Sequence, residues 1–163
     1  MLKFSSSSDY PHNFFMNMAL EQAEQAFSEN EVPVGAVIVN RLSKEIISKA
    51  YNMVEQGNNS TLHAEMIAIN KACNALKSKN LSDCDIYITL EPCAMCSTAI
   101  SLARIGRLFY SANDKKQGAV ENGLRYFTSS SCFHRPEIYP GFGSEFSAQL
   151  IKKFFSKIRK DKL

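Results

Sequence analysis

The 163-residue sequence predicts an α/β domain, and three observations carry that prediction. Amphipathic helical stretches alternate with short β-branched runs, so helices fall between strands. The run Val34-Gly35-Ala36-Val37-Ile38-Val39 is too apolar for a surface strand and reads as a central one covered on both faces. No repeat or long linker divides a chain of this length.

Residues 1–8 form a loose serine-rich lead-in with little to bury, and residues 9–163 one domain. Asp9 suits a helix N-cap and Pro11 an early helical position. Phe15, Met18, Ala19, Gln22, Ala23, Ala26 and Phe27 then recur at helical spacing, and the helix ends between Ser28 and Glu31. After the central strand, residues 41–43 make a short loop and 45–50 return as its partner. Gly35 lacks a side chain where a backbone or a ligand must come close. Residues 56–60 are a loop, and a second helix starts near Thr61 to His63, with Ala64, Ile67, Ala68 and Ala72 on one face. Residues 85–90 are the third strand. Pro92 opens a third helix running to about Ala103, and Leu108-Phe109-Tyr110 is the fourth strand. Between Asn113 and His134 loops surround a short helical piece, and residues 137–141 read as an edge strand and turn. A last helix spans 144–160, with Phe146, Leu150, Ile151, Phe154, Phe155 and Ile158 on its apolar side.

Composition narrows the function classes. A hydrophobic fraction of 45% supports a core without stapling, and a net charge of +3 is only mildly basic. Five cysteines, an odd number, fit poorly with a closed disulfide framework. No segment reads as a signal peptide or membrane span, so the expected compartment is a reducing cytoplasm with free thiols or metal ligands.

The chemistry sits in two motifs. Cys93 and Cys96, three residues apart at a helix start, share one face, and the positive helix terminus favours their thiolates. His63-Ala64-Glu65 supplies an imidazole ligand and a carboxylate about thirty residues earlier. Together they read H-x-E…P-C-x-x-C, the known signature of zinc-dependent nucleobase deaminases. Three protein ligands (His63, Cys93, Cys96) leave a fourth tetrahedral place open, which distinguishes catalytic from structural zinc. Glu65, not itself a ligand, is placed to take a proton from water and pass it to the substrate and the leaving amine. The blander readings are a redox Cys-x-x-Cys pair, or structural zinc with a fourth ligand from Cys73, Cys84, Cys132 or His134. The first leaves His63 and Glu65 unexplained. Cys73 lies nearly three helical turns beyond His63, and Cys73 and Cys84 read as core thiols.

Pro33-Val34-Gly35-Ala36-Val37, Tyr51-Asn52, His63-Ala64-Glu65, Leu90 to Cys96, Ala103 to Arg107 and the Phe154-Phe155 helix resemble the bacterial tRNA-specific adenosine deaminases of the cytidine deaminase-like superfamily. The likeness runs from about Asp9 to near the end. It implies a three-layer α/β/α sandwich around a five-stranded mixed sheet. It also implies a homodimer with one zinc per subunit, converting adenosine to inosine at the anticodon wobble position of an arginine tRNA. On this resemblance Asn52, Ala64, Asp114 and Phe155 are substrate-binding residues, Asn52 meeting the flipped base. Two positions depart from the family pattern: Tyr51 stands where tryptophan is common, and Asn113-Asp114 where Arg-Asp is. Lys152, Lys153, Lys157, Arg159, Lys160 and Lys162 cluster near Phe154 and Phe155, and the expectation is an RNA-facing edge. The rival functions are a free-base deaminase of guanine or cytosine and a non-catalytic zinc-stabilised RNA-binding module.

Overall fold

The computed structural model describes residues 11–161; the lead-in at 1–8, the Asp9 cap and Lys162 lie outside the described residues. The elements run α1 (His12–Ser28), β1 (Gly35–Asn40), β2 (Ile46–Tyr51), α2 (Ala64–Leu76), β3 (Cys84–Leu90), α3 (Ala94–Leu102), β4 (Arg107–Ala112), a 3-10 turn (Tyr126–Thr128), β5 (Glu137–Pro140) and α4 (Ser144–Asp161). Two helix starts differ from expectation by a position. Pro11 occupies the cap of α1, and Cys93 caps α3, so Pro92 lies before that helix and not inside it. The Cys93 backbone is extended (φ −72°, ψ 176°), which a residue half outside a helix adopts without strain.

The strand order is β2-β1-β3-β4-β5, with β1 antiparallel to both β2 and β3, and β3, β4 and β5 parallel. This is the expected five-stranded mixed sheet. Side chains alternate across it with the two-residue period of a strand. Val37, Val39, Tyr87 and Phe109 pack on Phe15, Met16, Ala19 and Leu20 of α1. Ala36, Ile38, Ile86, Ile88, Leu108 and Tyr110 face Ala64, Ala68 and Ala72 of α2 and Ile100 of α3. The amphipathic helix α4 joins the α1 face, where Phe154 meets Phe27 edge-on and Ser147 Oγ donates to Ser111 Oγ at 2.8 Å. Helices thus cover both faces.

Gly35 answers its question in favour of backbone. A Cβ there would stand 1.9 Å from the Ala19 carbonyl oxygen and 2.7 Å from the Ala23 nitrogen, so α1 lies directly on β1. At the start of β3 the buried Asp85 carboxylate is held between the guanidinium groups of Arg41 and Arg107. That staple fixes one end of β3. Its other end delivers Glu91, Pro92 and Cys93.

Candidate active site

Two helix N-termini converge on one place. His63 caps α2 and Cys93 caps α3, and neither side chain makes a capping hydrogen bond. His63 Nδ1 lies 3.7 Å from Cys93 Sγ and 3.6 Å from Cys96 Sγ. Zinc held tetrahedrally, at ~2.3 Å from sulfur and ~2.0 Å from nitrogen, sets those atoms about 3.6 Å apart. The donor set therefore fits one zinc ion, and its soft thiolates with one imidazole select that metal over hard cations. Among the described residues no fourth ligand joins this group. Cys84 is buried at the start of β3, Cys73 packs against the core, Cys132 donates to the His134 carbonyl at 3.2 Å, and the His134 ring is 2.9 Å from the Ile105 carbonyl oxygen. The closed structural site has no candidate left here.

Electrostatics favour the ligand state of Cys93 and leave Cys96 and His63 holding protons that a bound metal would displace. The Cys96 thiol donates to Cys93 and, with His63, brings Cys93 down to about 4, a thiolate at neutral pH. The same hydrogen bond with Cys93, together with burial, pushes Cys96 up. The bond to Cys93 also raises His63. Glu65, in the first turn of α2, is 4% exposed, and burial pushes its carboxyl up to about 7. Its Oε2 is buried without a hydrogen-bond partner. A carboxyl balanced near neutrality, with one oxygen uncommitted beside three metal-binding atoms, suits proton transfer and not structural support.

The other expected residues are distributed unevenly. Asn52, 6% exposed at the end of β2, accepts the Ala64 N–H at 2.8 Å through Oδ1, which ties both residues to the start of α2. The Tyr51 hydroxyl lies 3.2 Å from both oxygens of Glu29 and is anchored to the end of α1. Asp114 stands on the loop after β4, where Oδ1 accepts the Lys116 and Gln117 N–H groups. Phe155 is apart from these, 43% exposed on α4, while its neighbour Phe154 is core. Not every basic residue of α4 is free. Lys153 and Lys157 lie over the Phe27 ring, and Lys157 also donates to Asn30 Oδ1 at 2.8 Å.

Two residues escaped sequence reasoning. Glu31, 1% exposed, accepts the Glu55 and Gln56 N–H groups at 3.1 and 2.7 Å and so holds the loop leading to His63. Glu91, 2% exposed, does the same for the loop after β4. Their only sequence signal is an acidic residue beside an apolar strand, where a solvated carboxylate would be out of place.

Comparison with known proteins agrees with this geometry. Residues 9–112 match the cytidine and deoxycytidylate deaminase zinc-binding region, which sets the class as a zinc-binding deaminase. A tRNA-specific adenosine deaminase of Rickettsia bellii is 65% identical over 144 residues, 88% of this chain and 99% of the relative. One from Aquifex aeolicus is 45% identical over 148 residues, covering 90% and 95%. A solved structure from studies of A-to-I editing by tRNA:A34 deaminases superposes with a TM-score of 0.81 at 44% identity, over 84% of this chain and 98% of that one. The chain belongs to the tRNA-specific adenosine deaminases.

Proposed function

We propose that this protein hydrolyses adenosine to inosine at the wobble position of a tRNA anticodon, with release of ammonia. The observation that carries the reading is the three-ligand group formed by His63, Cys93 and Cys96 beside the unpartnered oxygen of Glu65. The high identity to relatives named for this reaction supports it.

Zinc held by these three residues would supply a Lewis acid that makes water nucleophilic at neutral pH. The chain's own part is proton movement and positioning. Glu65 Oε2 accepts a proton as water oxygen bonds to C6 of the adenine, and returns it to ring N1. Glu65 then takes the second proton from the hydroxyl now on C6 and passes it to the exocyclic amine; the C6–N bond breaks as the C6=O bond forms, and ammonia leaves. Asn52, with Oδ1 engaged by Ala64, offers its amide N–H groups to the base edge. An anticodon loop is already single-stranded, so extruding its base costs little. Asp114 and the exposed side chains Lys152, Phe155, Arg159 and Lys160 are the candidate RNA contacts.

An arginine tRNA as substrate, a homodimer, one zinc per subunit and a cytoplasmic setting complete the reading. No described helix is long and apolar enough to cross a membrane. The test is to incubate the zinc-loaded protein with an arginine tRNA bearing a wobble adenosine and sequence the product. Inosine at that position is the expected result. Turnover confined to free guanine or cytosine overturns the tRNA reading.

A further inference from the structure

Glu91 stands two residues before Cys93 and has a different task from Glu65. Its carboxylate is 2% exposed, and no Lys, Arg or His forms an ion pair with it among the described residues. Instead it is wrapped by one loop. Oε1 accepts the consecutive backbone N–H groups of Val120, Glu121 and Asn122 at 3.0, 2.8 and 3.0 Å. Oε2 accepts the Asp114 N–H at 2.9 Å and the Asn122 side-chain amide at 2.7 Å. Five donors from residues 114–122 thus converge on one buried charge, a backbone anion nest built around an internal ligand.

The wrapped loop lies on the metal-binding turn. Gly118 pairs with Cys93 in an isolated β-bridge, and the Ala119 N–H donates to the Pro92 carbonyl at 2.9 Å. There is no slack. A Cβ on Gly118 would stand 2.4 Å from the Asp114 carbonyl oxygen and 2.6 Å from Glu91 Oε2. The loop begins with Asp114, whose side chain caps the turn at Lys116 and Gln117.

We propose that Glu91 is a positioning residue for RNA: its carboxylate is the hub that sets the 114–122 loop, and with it Asp114, beside the Cys93 turn of the candidate active site. The inference rests on the tRNA-deaminase reading above. It also names why a carboxylate is needed. Glutamine has nearly the same shape, but its single oxygen serves only one side of the hub. With that oxygen toward residues 120–122, its NH2 group opposes the Asp114 N–H and the Asn122 amide, donor against donor. The Asp114 end of the loop is then released while the zinc ligands are untouched.

The experiment compares wild-type protein and Glu91→Gln, zinc-loaded, on an anticodon stem-loop carrying the wobble adenosine. Steady-state kinetics are read together with stem-loop Kd from fluorescence anisotropy, zinc content and circular dichroism. The expected result is a KM and Kd at least tenfold higher, with kcat within threefold and zinc content unchanged. Unchanged KM and Kd, whatever happens to kcat, overturns the proposal, because a merely structural carboxylate changes the active fraction and not the affinity. Should Glu91→Gln fail to fold, Asn122→Leu removes one hub contact and leaves Glu91 in place. It is expected to raise KM and Kd several-fold, and unchanged values there also overturn the proposal. If wild-type protein does not deaminate the stem-loop, the underlying reading has failed; wild-type turnover with unaltered affinity in the variants rejects only the role of Glu91.

Discussion

Glu65 and Cys84 are both buried ionisable residues, and burial has opposite meanings for them. Glu65 lies against the candidate metal-binding atoms with Oε2 unpartnered, so its desolvation suits the proton transfer proposed for it. Glu65→Gln keeps size and ligands but cannot carry the proton. Its kcat is expected to fall by about 10²–10⁴ with zinc content and thermal midpoint nearly unchanged; activity within tenfold of wild type would remove Glu65 from the mechanism. Cys84 has no such company. Burial first, then the neighbouring Asp85 and Asp83 charges, push its thiol up to about 11. The folded state therefore holds the proton more tightly than the unfolded chain, whose thiol ionises near pH ~8.5. The stabilisation is complete below that value and is lost as pH climbs towards 11. Between pH 8 and 10, wild-type protein is expected to lose on the order of 1–2 kcal/mol more than Cys84→Ala in denaturant titrations. Equal losses would show that the thiol titrates freely.

Helix termini do most of the positioning among the elements. The starts of α2 and α3 bring His63, Glu65, Cys93 and Cys96 together, each within one turn of a positive helix end that favours anionic side chains. Their placement depends on how closely the layers pack, and α1 lies with its backbone directly on β1. Gly35→Ala is expected to destabilise the fold by about 1–3 kcal/mol, since the new methyl meets backbone at 1.9 Å and cannot be relieved by a rotamer change. A chemical denaturation curve measures it, and a neutral substitution would mean that α1 can lift without cost. On the same face, α4 is partly a packing helix. Phe154 meets Phe27, and Lys153 and Lys157 cover that ring. The exposed cations Lys152, Lys160 and Arg159, the last also donating to Ser156 Oγ at 3.3 Å, are the ones proposed to meet phosphate.

At the scale of the molecule, the proposed α4 contacts predict salt-dependent RNA binding with a limited slope. Affinity for an anticodon stem-loop should fall linearly in log–log form, by about 0.7 per phosphate neutralised, and Lys152→Glu with Lys160→Glu should flatten the slope. An unaltered slope would move the RNA edge away from α4. Much of the site was legible in the chain before folding. Cys93 and Cys96 share a helix face by local geometry, His63-x-Glu65 has its own short spacing, and apolar periodicity marked every helix and strand within a few residues. What escaped depends on distance along the chain. Pro92 reads as the first helical residue, yet Cys93 takes the cap because its backbone also pairs with Gly118, 25 positions on. Glu91 shows locally only as an acidic residue beside an apolar strand, since its partners lie 23 to 31 residues away. The Phe27 stack on α4 spans still more chain. The candidate reacting groups and the order of elements could thus be read from the chain alone, because ligand chemistry and periodicity are local. The different surroundings of the two buried carboxylates emerge only on folding, because Glu91 gathers five N–H donors from a loop distant in the chain while Glu65 keeps Oε2 without a partner.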